Sequence, residues 1–249
     1  MNDTPDKTRK RRRGIYLLPN LFTTATLFGG FYAILTAMNG RFEHAAIAIF
    51  VAMVMDGLDG RIARMTNTQS DFGAEYDSLA DMVAFGLAPA LVIYLWALTD
   101  LGKLGWLAAF VYTAATALRL ARFNTQVGIA DKRYFQGLPS PSAAAIIAGA
   151  VWVGADNMID GTALAVPVAI LTTITGLLMV SNFRFSSFKE IDLKGKVPFM
   201  VVVAVMLAFA ILLLQPPIVL FLVFTVYAVS GPIVTLFQMR KRKADRTSN

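Results

Sequence analysis

Runs of apolar residues about as long as a bilayer crossing, roughly 20 residues, alternate along the chain with short polar connections. Eight such runs lie at about 15 to 39, 43 to 64, 72 to 98, 104 to 123, 140 to 155, 163 to 181, 197 to 214 and 217 to 239. The pattern predicts an all-α, polytopic membrane bundle of eight spans. One membrane domain, 15 to 239, is expected between basic tails at 1 to 14 and 240 to 249. The fifth run is short, so its start is expected to dip into the headgroup region or to draw on the loop before it. Pro19, Pro89, Pro141 and Pro198 fall near expected helix ends, where a missing N–H matters least. Pro167 and Pro232 lie deeper and are expected to kink their helices.

Composition narrows the class further. With 56% hydrophobic residues, 16% charged and a mean hydropathy of +0.59, the chain departs from water-soluble domains in both directions. No cysteine is present and His44 is the single histidine, which excludes disulfide scaffolds, thiolate chemistry and multi-histidine metal sites. Any metal must therefore bind through oxygen. The net charge of +7 is concentrated at the tails, next to apolar runs, so it reads as membrane topology rather than nucleic-acid binding. With the N-terminus inside, all 23 lysines and arginines except Arg41 and Lys103 fall in cytoplasmic segments, as the positive-inside rule requires. An odd number of spans would leave one basic tail outside, so both termini are expected in the cytoplasm.

Ionisable side chains inside spans are costly and mark a functional interior. The second run ends in Asp56-Gly57-Leu58-Asp59-Gly60-Arg61-Ile62-Ala63-Arg64, and the third begins with Asp71 and carries Asp77 and Asp81. At helical spacing Asp56 and Asp59 share one face, as do Asp77 and Asp81. The short connection 65 to 70 predicts an antiparallel hairpin with both acidic pairs near its cytoplasmic end. Four converging carboxylates repel one another, and two divalent cations would balance them. Oxygen-only ligands point to Mg²⁺ or Mn²⁺.

Gly57, Gly60 and Gly73 each cost a helix about 1 kcal/mol relative to alanine, which suggests close approach by a flat ligand or another backbone. Arg64 at the mouth suits a phosphate. Two alternatives stand beside this reading: solvated acidic caps at span ends, and a proton or cation relay of a carboxylate-lined transporter.

The intervals Asp56-x-x-Asp59-Gly60-x-x-Ala63-Arg64, then eight residues, then Gly73-x-x-x-Asp77-x-x-x-Asp81 resemble the whole signature of the CDP-alcohol phosphotransferases. Within that family the chain is similar to the bacterial membrane-bound phosphatidylserine synthases. That similarity rests on Leu17-Leu18-Pro19-Asn20, Asp77 to Pro89, Arg119-Leu120-Ala121-Arg122-Phe123-Asn124 and Gly137-Leu138-Pro139-Ser140-Pro141. It covers roughly residues 15 to 150 and leaves the last three spans without a motif.

The resemblance implies transfer of a phosphatidyl group from CDP-diacylglycerol to the hydroxyl of L-serine with release of CMP. It also implies a homodimer in the bacterial inner membrane, with membrane lipids around it and the site facing the cytoplasm. By position it places metal ligands on Asp56, Asp59, Asp77 and Asp81, the last also as base. It places CDP-lipid contacts on Gly60, Arg64 and Ser70, with Asn20 and Thr23 joining from the first span. Other acceptors remain open, as in phosphatidylglycerophosphate synthase.

From the residues themselves, Asp81 is placed one turn beyond Asp77 as a base for the attacking hydroxyl. Arg119 and Arg122, three apart on one helical face, suit the serine carboxylate; they equally suit positive-inside anchors. Arg184, Lys189, Lys194 and Lys196 are expected to face lipid phosphates. His44 and Glu75 read as peripheral, and Trp96 and Trp106 as members of an interfacial aromatic belt.

Overall fold

The structure is a computed structural model that describes residues 7 to 66, 68, 70 to 126, 134 to 186 and 199 to 247. The expectations for Lys132, Arg133, Lys189, Lys194, Lys196 and Pro198 lie outside the described residues. The chain is helical almost throughout: α1 (Lys7–Met38), α2 (Phe42–Thr66), α3 (Asp71–Asp81), α4 (Ala88–Ile93), α5 (Lys103–Gln126), α6 (Ser140–Asp156), α7 (Ala165–Val180), α8 (Phe199–Leu214) and α9 (Pro216–Thr247). A wider π turn at Met82–Leu87 joins α3 to α4, and a second at Tyr94–Leu98 extends α4 into one long rod ending in a 3₁₀ turn. A short antiparallel pair, β1 (Tyr134–Gln136) and β2 (Arg184–Ser186), is the one departure among the described residues from an all-helical chain.

Among the described residues, five helices are long and apolar enough to cross a membrane: Pro19–Met38, Asp71–Leu101, Lys103–Thr125, Gly161–Val180 and Pro216–Phe237. A shorter apolar helix spans Met200–Leu214. The second and fifth runs are helical where expected but fall short of that measure. Asp56, Asp59, Arg61 and Arg64 lower the apolarity of α2, and α6 has 17 residues. Both basic tails continue as helix, from Lys7 into α1 and through α9 to Thr247. Lysine and arginine are good helix formers, so Pro19 lies inside α1 rather than near its end.

The core is built largely from alanine. Ala33 and Ala37 on α1, Ala45, Ala46, Ala48 and Ala52 on α2, and Ala84 and Ala88 on the third rod are all buried. In a bilayer, where lipid is as apolar as leucine, helices associate by packing, and small residues allow it. Two adjacent glycines let α1 approach its two neighbours closely. A Cβ on Gly29 would lie 2.9 Å from the Ala52 side chain, and one on Gly30 would lie 2.6 Å from the Ala84 Cα. Consecutive helical residues point about 100° apart, so Gly29 faces α2 while Gly30 faces the third rod.

The expected hairpin closes along the rod rather than at α3: α2 and α3 have few close backbone contacts with each other, α2 meets the same rod further along at its first π turn and α4, and α1 packs along both α2 and α3. Trp96 is also not in an interfacial belt. It is only 7% exposed and packs against Gly154 and Gly161, whereas Trp106 is 52% exposed as the belt requires.

Pro89 lies within the third rod and cannot donate to the carbonyl of Phe85, four residues back. The π turn precedes it, and the fully buried Tyr112 of α5 donates its hydroxyl to that same carbonyl at 3.0 Å. The two features let the rod pass its proline without leaving a buried acceptor unmet.

Gly30→Ala tests the close approach. Helix propensity favours alanine by about 1 kcal/mol, but overpacking against fixed backbone costs about 1–3 kcal/mol. Thermal unfolding in detergent is expected to show a lowered Tm. A raised Tm would mean that α1 and the third rod separate freely.

Candidate active site

The acidic residues meet between the C-terminal half of α2 and the middle of α3. Ligand oxygens of Asp56, Asp59 and Asp77 all lie within 4.8 Å of one another. Asp81, one turn deeper on α3, stands beside this group and interacts electrostatically with Asp56 and Asp77. α1 packs against both of the helices that carry these residues.

Asp77 Oδ1 and Asp81 Oδ1 are buried and have no hydrogen-bond partner. Buried polar atoms ordinarily find one, and here the missing partner matches a cation. Clustered carboxylates, oxygen donors alone and orphaned buried oxygens together fit a hard divalent ion such as Mg²⁺ or Mn²⁺.

The remaining expected residues surround the cluster. Thr23 is buried on α1 and donates to Asp59 Oδ2 at 2.9 Å. Asn20, one turn earlier, directs its Oδ1 at Gly73, 3.6 Å from where a Cβ would stand. Ser70 is the N-cap of α3 and accepts from the Gly73 amide at 3.1 Å, leaving its own hydroxyl hydrogen to donate. Gly57 and Gly60 face open space, with nothing within 4 Å of an added Cβ. That geometry matches approach by a ligand rather than by another backbone. Arg64 is exposed at the mouth, and Glu75 and His44 are exposed away from the cluster.

Arg119 and Arg122 do share a face of α5, but their surroundings differ from those of surface anchors. Arg119 is only 9% exposed, donates from Nη1 to Ser140 Oγ at 2.9 Å and interacts electrostatically with Asp81. Its Nε, and Nη1 of Arg122, are buried without a hydrogen-bond partner. A guanidinium held this way has donors free for a carboxylate.

Three contacts escaped the sequence reading. Ser140 holds Arg119; Ser78 on α3 and Asn124 on α5 bond to each other at 3.0 Å; Thr24 and Tyr76 bond at 2.9 Å. Ser78, Asn124 and Ser140 lie within the sequence segments already singled out, but nothing in their spacing reveals which partner each one meets.

Comparison with known proteins identifies the family. A sequence model of the CDP-alcohol phosphatidyltransferases matches residues 16–180, past the 150 at which the motifs end. A CDP-diacylglycerol–serine O-phosphatidyltransferase of Helicobacter pylori is 36% identical over 230 residues, covering 91% of this chain and 94% of its own. Proteins of the same name from Bacillus subtilis and Mycobacterium tuberculosis are 33% identical over 173 residues and 40% identical over 146. The first alignment covers 70% of this chain and 92% of the relative; the second covers 55% and 50%. With its apolar helices, its gathered aspartates and this similarity, the chain belongs to the CDP-alcohol phosphatidyltransferase family.

Proposed function

We propose that this chain transfers the phosphatidyl group of CDP-diacylglycerol to the hydroxyl of L-serine, giving phosphatidylserine and CMP. One observation carries the reading: Asp56, Asp59 and Asp77 gather from two helices in a chain similar along 91% of its length to a serine phosphatidyltransferase.

Asp56, Asp59, Asp77 and Asp81 would hold two divalent cations. When bound, these ions neutralise the pyrophosphate and stabilise the departing CMP oxygen. The chain's own groups do the rest. The open faces of Gly57 and Gly60 admit the nucleotide end of the lipid to the acidic cluster. Arg64 at the mouth and the Ser70 hydroxyl offer donors to phosphate oxygens, and Asn20 lines the same end of α1.

Arg119 and Arg122 turn their unpaired donors to the serine carboxylate. That fixes the hydroxyl beside Asp81, whose carboxylate takes the proton as the oxygen attacks the phosphorus bearing diacylglycerol. The phosphorus–oxygen bond to CMP breaks in the same displacement. Positioning of the two reactants supplies much of the acceleration.

Orientation follows from charge. If all eight helical rods cross, the N-terminus, the C-terminus and the acidic end of α2 share one side, and positive-inside bias makes it the cytoplasm. The resemblance further suggests a homodimer in a bacterial inner membrane.

The function is tested by CMP release from purified protein in detergent with CDP-diacylglycerol. Release is expected to require both serine and Mn²⁺ or Mg²⁺; release driven by glycerol 3-phosphate instead would assign a different acceptor. Asp81→Asn is expected to lower turnover about 100-fold or more with CDP-lipid binding intact, and retained turnover removes Asp81 from the base role. Arg122→Ala is expected to raise KM for serine about ten-fold, the value of a charge-assisted hydrogen bond, with KM for the lipid unchanged. An unchanged serine KM would return Arg122 to the status of a membrane anchor.

A further inference from the structure

Thr23 was expected to touch the lipid, but its hydroxyl is already engaged inside the protein. It is 3% exposed and lies 2.9 Å from Asp59 Oδ2 and 3.2 Å from the Pro19 carbonyl. A threonine has one hydroxyl hydrogen. The shorter contact, to a carboxylate, is the stronger because the acceptor is charged. Threonine's branched side chain is stiff in a helix, so α1 presents this donor in a fixed direction.

The next residue repeats the pattern toward the other acidic helix. Thr24 bonds Tyr76 at 2.9 Å, and Tyr76 immediately precedes Asp77. Consecutive threonines thus tie α1 to both carboxylate-bearing helices, one turn or two from the glycines that bring the same helices close.

We propose that Thr23 is a positioning residue, not a lipid contact: its hydroxyl pins one oxygen of Asp59 and so orients that carboxylate toward the cations shared with Asp56 and Asp77. The assignment rests on the reading of the acidic cluster as a cation site. Partners of this kind behind a metal ligand typically change metal affinity 10- to 100-fold when removed.

The test is direct Mn²⁺ binding to the full chain in detergent, followed by loss of the free-ion electron paramagnetic resonance signal. Thr23→Val, which keeps the shape and removes the hydroxyl, is expected to weaken Mn²⁺ binding about ten-fold or more. Thr23→Ser is expected to bind as the unsubstituted chain does, and KM for CDP-diacylglycerol at saturating Mn²⁺ is expected to stay unchanged in both. Thr23→Ala provides the same comparison if the valine variant does not fold. Unweakened Mn²⁺ binding in the variant lacking the hydroxyl overturns the assignment, and a raised lipid KM with it would return Thr23 to the lipid. If the unsubstituted chain binds no Mn²⁺, or Asp59→Asn binds it equally well, the cation reading fails first and this assignment with it.

Discussion

Like charges held together at the edge of a membrane are the constraint around which this molecule is arranged. Oxygens from Asp56, Asp59 and Asp77 lie within 4.8 Å of one another, and Asp77 Oδ1 and Asp81 Oδ1 are buried. Repulsion grows as the local dielectric falls, so the helices carrying these groups would separate unless something held them. α1 is that element. Its glycines remove the side-chain bulk between it and its neighbours, and its threonines bond to Asp59 and Tyr76. The packing energy is spread over many alanine contacts remote from the acids, which leaves the site end free to remain open.

The third rod joins the acidic cluster to a helix long and apolar enough to cross a membrane. Its first eleven residues carry the acids, and its later ones form part of the buried core. The change from α to π winding begins directly after Asp81. A π turn rotates the face of everything beyond it, so apolar residues can face the core without forcing Asp77 and Asp81 away from Asp56. Tyr112 and Pro89 reinforce the transition from opposite sides, one by donating a hydrogen bond and the other by being unable to.

A second polar layer lies behind the acids. Arg119 sits between Asp81 and Ser140, close enough to interact with Tyr112 and with Tyr227 of α9. Tyr227 packs on Phe185 of β2 with ring centroids 5.6 Å apart. The last helix and the small strand pair, which no motif marked, therefore stand behind the region assigned to the acceptor. Buried cations need partners to offset desolvation, and a guanidinium that still has an unpaired buried Nε is incompletely satisfied by the protein alone.

Several features were legible in the letters. Apolar length located the helical rods, because a lipid environment requires long apolar helices. The intervals of Asp56, Asp59, Asp77 and Asp81 identified the acidic faces, because helical periodicity is a local property. Tertiary structure decided what those faces meet. It packed α1 against both acidic helices, turned Thr23 toward Asp59, and buried Trp96 rather than setting it in a belt. The division has one physical origin: hydropathy and spacing are set by neighbours in the chain, whereas a hydrogen-bond partner or a packing gap depends on which distant residue arrives opposite.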